Sequence, residues 1–186
     1  MLPDLKLELQ DARNYVHQRY GPPDPQWRAE ARENDRANNA FTDTTTHANE
    51  HLAVVFVKSS DDDDLRKHDF THESTHLLNP VPRSKISYLE EAAATVISME
   101  RLDYVNSKAF LAQQHAKLKE PDNAQYLEGY NDLMCLLKEC PDEFIKKLRG
   151  PNGRSLSTDI EPNDITKLVP RTDAIAQRLC RKFYDA

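Results

Sequence analysis

Residues His72-Glu73-Ser74-Thr75-His76 set two imidazoles four positions apart, with a carboxylate beside the first. On a helix, positions four apart share a face, so His72 and His76 can grip one metal ion together. Glu73 then stands next to that ion, where a metal-bound water would need a proton acceptor. A catalytic zinc normally takes three protein ligands and keeps a fourth position for water, so the pattern asks for one more ligand. Fourteen residues separate His76 from Glu91, which lies within Ile86-Ser-Tyr-Leu-Glu-Glu-Ala-Ala-Ala94, a run that reads as the start of a second helix. Ser87 and Glu90 have capping-box spacing, which gives Glu90 a structural task at the helix start. Glu91 is left free to point elsewhere, and the alanines after it let two helices approach closely. Glu91 is the preferred third ligand, with Glu90 the alternative.

With Zn2+ on His72, His76 and Glu91, Glu73 would take a proton from the water and pass it to the leaving amine. The developing oxyanion needs a donor. His115, Tyr126, Tyr130 and Tyr104 are candidates, and no spacing selects among them. His68, one turn before His72, is either a neighbour that supports the site or an exposed side chain on a charged helix. Asp69 could orient a nearby histidine through its other ring nitrogen, or cap the helix locally. His47 and His51 read as surface residues.

Positioning these groups falls to a strand and two helices. Leu52-Ala-Val-Val-Phe-Val57 is a short apolar, β-branched run of the kind that forms a buried strand. Ser59-Ser60 offers an N-cap, and Asp61 to Asp64 put negative charge into the first turn of a helix running from about 61 to 78. That helix stops before Asn79-Pro80. The Thr-rich stretch 41–46 reads as a strand pairing with 52–57, and the strand at 52–57, taken as an edge, could hold a substrate peptide by strand addition. An amphipathic helix is expected over 4–20, ended by Gly21-Pro22-Pro23. Residues 25–40, polar except for Trp27, read as a surface helix or a loose arm. Further helices are expected at 107–119, 123–139 and 172–184, with a loop over 150–157.

Together these pieces resemble a known family. Val54 to Val57, Arg66-Lys67, Phe70-Thr71, the pentapeptide, Leu77-Leu78 and Glu90 to Ala94 follow the order found in ImmA/IrrE-type metallopeptidases. Tyr88-Leu-Glu-Glu-Ala92 is similar to the gluzincin signature in which the Glu ligates zinc, which maps that role onto Glu91. The resemblance covers about residues 50 to 100. It departs at Thr75, where the family usually carries Gly, and at Thr95, where thermolysin-like enzymes carry Asp. It implies a protease that cleaves or controls a regulator.

Composition frames the rest. A chain of 186 residues with 38% hydrophobic and 30% charged residues defaults to one domain, 1–186. Within it the core would span about 40–140, preceded by the helix at 4–20 and followed by a helical segment over 158–186. The fold class expected is α+β, mostly helical: a minimal zincin-like domain with a small sheet beside the active-site helix. A net charge of −6 argues against phosphate-backbone binding as the main task, so no nucleic-acid partner is expected. No apolar stretch approaches the ~20 residues of a membrane span. Cys135, Cys140 and Cys180 lack metal-ligand spacing and read as reduced thiols, which fits the cytoplasm or export without a cleaved signal. Nothing in the spacing sets an oligomeric state. The function expected is zinc-dependent hydrolysis of a peptide bond in a specific protein. Its rivals are an inactive zinc-binding module acting through protein contacts, and a helical interaction protein in which the pentapeptide is accidental.

Overall fold

The apolar run at 52–57 takes the middle of a three-stranded mixed sheet. The computed structural model describes residues 4–34, 40–47, 50–57, 60, 62–140 and 143–184. Its strands are β1 (Trp27–Glu33), β2 (Phe41–His47) and β3 (Glu50–Val57), in the spatial order β1-β3-β2. β3 pairs with β1 in parallel, Trp27 opposite His51, and with β2 in antiparallel fashion, Phe41 opposite Phe56. Ala53, Val55 and Val57 are almost fully buried, and only the centre of the sheet offers that cover. Two expectations are corrected here. Residues 27–33 form a strand, because Trp27, Ala29 and Ala31 alternate onto the apolar cluster beneath the sheet. The strand at 52–57 is central and already paired on both sides, so the edge beside the helix that carries His72 and His76 is β2.

Eight α-helices are present among the described residues. They are α1 (Leu5–Tyr20), α2 (Asp63–His76), α3 (Tyr88–Tyr104), α4 (Lys108–Leu118), α5 (Ala124–Glu139), α6 (Phe144–Arg149), α7 (Pro162–Leu168) and α8 (Asp173–Leu179). The molecule is therefore α+β and mostly helical, as expected. Helix α6 lies outside the expected helices, α7 falls within the helical segment expected over 158–186, and α8 ends at Leu179 rather than near 184. The cap of α2 is Asp62, whose carboxylate accepts from Asp64 N and Leu65 N, while Ser60 Oγ only accepts from Asp62 N. Ser59 and Asp61, also expected there, lie outside the described residues, as does the side chain of His47. No described helix is long and apolar enough to cross a membrane. The three cysteines are free thiols.

Two apolar clusters hold the helices in place. A smaller one, including Leu9, Ala12, Val55, Phe70 and Leu77, joins the sheet to α1 and α2. A larger one, centred on Leu89, Ala93, Ile97, Leu133 and Leu136, wraps α3 with α1, α5 and the four later segments. Each fully buried side chain of this size stabilises by roughly 1.5–3 kcal/mol relative to exposure. Helix α3, buried along nearly its whole length, is the shaft of the fold.

One buried cation locks this arrangement. Arg149, 1% exposed, donates to the carbonyls of Tyr20, Pro22, Gly153 and Arg154 and to Asn79 Oδ1. It thereby ties the ends of α1, α2 and α6 together. Burial pushes its guanidinium down to about 10, still charged at neutral pH. Replacing it with Met would keep much of the volume but strand five acceptors, and a loss of about 3 kcal/mol is expected. Urea unfolding of Arg149→Met against the wild type checks this; a loss under about 1 kcal/mol would contradict it.

Candidate metal centre

Helix α2 presents His72, Glu73 and His76 with ligand atoms all within 4.8 Å of one another. The helix can press this stripe against α3 because both faces are small: Thr71, Ser74 and Thr75 on one side, Ala92, Ala93 and Ala94 on the other, all buried. Thr75 lies in this interface and turns its hydroxyl back to Thr71 O. Across the interface comes Glu91. Its Oε2 lies 3.3 Å from His72 Nε2, and its Oε1 lies 3.8 Å from His76 Nε2. Glu91 is 2% exposed, and Oε2 is buried with no hydrogen-bond partner.

Glu90 points to the far side of the same imidazole. Its Oε1 sits 2.7 Å from His76 Nδ1. A carboxylate only accepts, so that nitrogen carries the proton and Nε2 is directed at Glu91. The other Glu90 oxygen accepts from Ser157 Oγ. The expected capping box is thus half formed. Ser87 Oγ accepts from Glu90 N at 3.2 Å, but Ser87 N donates to Ser157 Oγ at 2.8 Å, which frees the Glu90 carboxylate for His76.

The electrostatics follow from this crowding. Burial opposes charge on His76, but Glu91, Glu90 and Glu73 outweigh it and raise the imidazole to about 10. Burial likewise opposes charge on Glu91, yet His76, His72 and the Tyr184 hydroxyl hold its carboxyl down at about 2. Glu73, 5% exposed, is ordered from the sheet: Thr42 Oγ1 donates to its Oε2 at 2.7 Å. Tyr184 donates to Glu91 Oε1 at 2.7 Å.

The centre opens into a cavity of about 290 Å³, lined among others by Thr42, His72, Glu73, Arg83, Glu91, Tyr126 and Tyr184. A second cavity of about 210 Å³ continues past His72, Glu73 and Tyr126 to His68, Asp69, Met99 and Leu118. The two form a groove with Glu73 at its middle. Of the expected oxyanion donors, only Tyr126 lines these cavities. His115 packs on Tyr130, ring centroids 6.1 Å apart, and neither reaches them. Tyr104 is 76% exposed. His68 Nδ1 lies 3.1 Å from Asp69 Oδ1, so Asp69 serves His68 rather than His72 or His76. His51 packs against Trp27 on the sheet, the rings tilted and their centroids 5.0 Å apart.

Sequence spacing missed Thr42, Ser157 and Tyr184. Thr42 belongs to a strand that the β-branched run did signal, but strand order alone puts it over Glu73. Ser157 and Tyr184 arrive from 67 and 93 residues beyond their glutamate partners, and no local pattern marks them. The donor chemistry of the centre, two imidazoles and an unpartnered buried carboxylate oxygen, fits a borderline divalent ion such as zinc. The chain matches no protein-family model, no curated protein and no solved structure.

Proposed function

We propose that this protein is a zinc-dependent endopeptidase, with His72, His76 and Glu91 holding the ion and Glu73 as general base. The observation that carries the reading is the Glu91 Oε2 atom. It is buried, faces His72 Nε2 at 3.3 Å, and has no hydrogen-bond partner. A buried carboxylate oxygen that faces an imidazole nitrogen without a hydrogen bond costs stability unless a cation meets it. The Glu90 contact to His76 Nδ1 adds support, since metal-bound histidines usually give their other N–H to a carboxylate. The gluzincin resemblance in residues 88–92 points to the same Glu91.

Zinc, when bound, would polarise a substrate carbonyl and lower the pKa of water to about 7. Glu73 takes the proton of the attacking water and delivers it to the leaving nitrogen, its Oε2 fixed by Thr42 and its Oε1 left for the water. Tyr126, which lines both cavities, is the donor this reading assigns to the oxyanion. Strand β2 has an open edge among the described residues, and Ala40, Phe41 and Thr42 line the first cavity. An extended peptide adding to β2 would cross the groove over Glu73. The protein target is one with a segment that can become extended; no nucleic acid or membrane enters this reading.

Three measurements test it. Elemental analysis of protein purified without chelator should give one zinc per chain, lost in both His76→Ala and Glu91→Ala; a zinc-free wild type, even after metal is supplied, would end the reading. Glu90→Gln should keep the site but weaken zinc binding by roughly tenfold, read by chelator competition. Glu73→Gln should retain zinc and lose about 10³-fold in cleavage of a peptide library followed by mass spectrometry. Undiminished cleavage by that variant would remove Glu73 from the mechanism, and zinc binding with no cleavage by the wild type would favour the inactive, partner-binding module.

A further inference from the structure

The segment that follows α8 does not trail away from the fold. Phe183 N donates to Ile86 O at 2.8 Å and Tyr88 N donates to Arg181 O at 3.0 Å, which bridges residues 181–183 to the loop that launches α3. Lys182 Nζ donates to Lys85 O and Ser157 O at 2.9 and 2.7 Å. Phe183, 2% exposed, wedges its ring against Tyr88 and Tyr126. These contacts leave the next side chain, Tyr184, no choice but to enter the groove. There its hydroxyl donates to Glu91 Oε1, and the Arg83 guanidinium covers its ring at 4.3 Å from the centroid.

A carboxylate on a helix can turn about its last torsion and offer either oxygen, or both. Tyr184 removes that freedom by taking up Oε1, and the atom left over is the unpartnered Oε2 facing His72. We propose that Tyr184 is a positioning residue of the metal centre, carried by the strap 181–184, that fixes Glu91 as a one-oxygen ligand; this rests on the zinc reading above. The strap is anchored on residues 85–88, one turn ahead of Glu91, so it holds the ligand and the start of the ligand's helix as one unit. Three ligands would then come from two helices, and the orientation of the third from a segment 93 residues further on.

The experiment compares wild type and Tyr184→Phe by zinc competition against a chromophoric chelator, and by the visible spectrum of the Co(II)-loaded proteins. The variant keeps the buried ring and loses only the hydroxyl. A roughly tenfold weaker zinc affinity is expected, the usual scale for a partner behind a ligand. The Co(II) bands should lose intensity as the freed carboxylate binds through both oxygens, a change that loss of stability alone would not produce. Affinity within twofold of wild type with superimposable bands would overturn the proposal. If Tyr184→Phe does not fold, Arg83→Met decides: it keeps the hydroxyl but releases the ring, and about threefold weaker binding is expected, with an unchanged constant overturning the assignment. A wild type that takes up no zinc would sink the zinc reading and this role with it, whereas a zinc-binding wild type matched by its variants would sink the positioning role alone.

Discussion

The arrangement depends on burying three carboxylates within one small volume. Glu73, Glu90 and Glu91 are 5%, 3% and 2% exposed, and the imidazoles of His72 and His76 are the nearest positive groups they can have. Taking an ion out of water costs several kcal/mol even after relaxation, so such a cluster persists only if positive charge is supplied inside it. Without a metal, protons supply it: His76 is held charged to about 10 and Glu91 ionised down to about 2. A dication does the same with better geometry and exchanges those protons for itself. The surrounding structure can be read as what it takes to keep these groups from separating.

That begins with helix contact. Charged side chains at the seam of two helices normally splay them apart, and here alanines, serine and threonines on both faces let α2 and α3 close over the cluster. The same need is met at Thr75 by a small buried residue. Further along the seam, Arg101 donates to Thr71 Oγ1 and pairs with Asp11, pinning α2 and α1 to the shaft of α3. At the other end of the seam Arg149 gathers carbonyls from the ends of α1, α2 and α6. The two arginines bracket the candidate metal centre, and each satisfies groups contributed by separate elements.

How much of this the sequence discloses depends on the range of the interaction. The pentapeptide, the helix beneath it and the return to Glu91 rest on spacings within 20 residues, and periodicity reveals them. Glu90 shows the limit. Its local spacing suggests a capping box, but Ser157 supplies the group that Ser87 N needs, and the carboxylate is recruited by His76 instead. Strand β1 is hard to read from the sequence for a different reason. Trp27-Arg-Ala-Glu-Ala-Arg-Glu33 is built of residues that favour helices, and the period-two placement of Trp27, Ala29 and Ala31 is faint because two of the three are alanines. Parallel pairing with β3, a tertiary contact, overrides the propensity. Tyr184 and Ser157 leave no local trace at all.

Strand order then connects the core to the chemistry. β3 is apolar enough to be buried and so claims the middle, which forces the Thr-rich β2 to an edge. A polar strand tolerates an open edge better than an apolar one, since it invites less indiscriminate pairing. Its position beside α2 puts Thr42 in hydrogen-bond contact with Glu73. The strand offered to an extended partner is therefore the one that touches the proposed base. On the reading proposed above, a partner paired with β2 would act on Thr42, and through it on Glu73. The open edge and Glu73 are thus joined through a single 2.7 Å hydrogen bond.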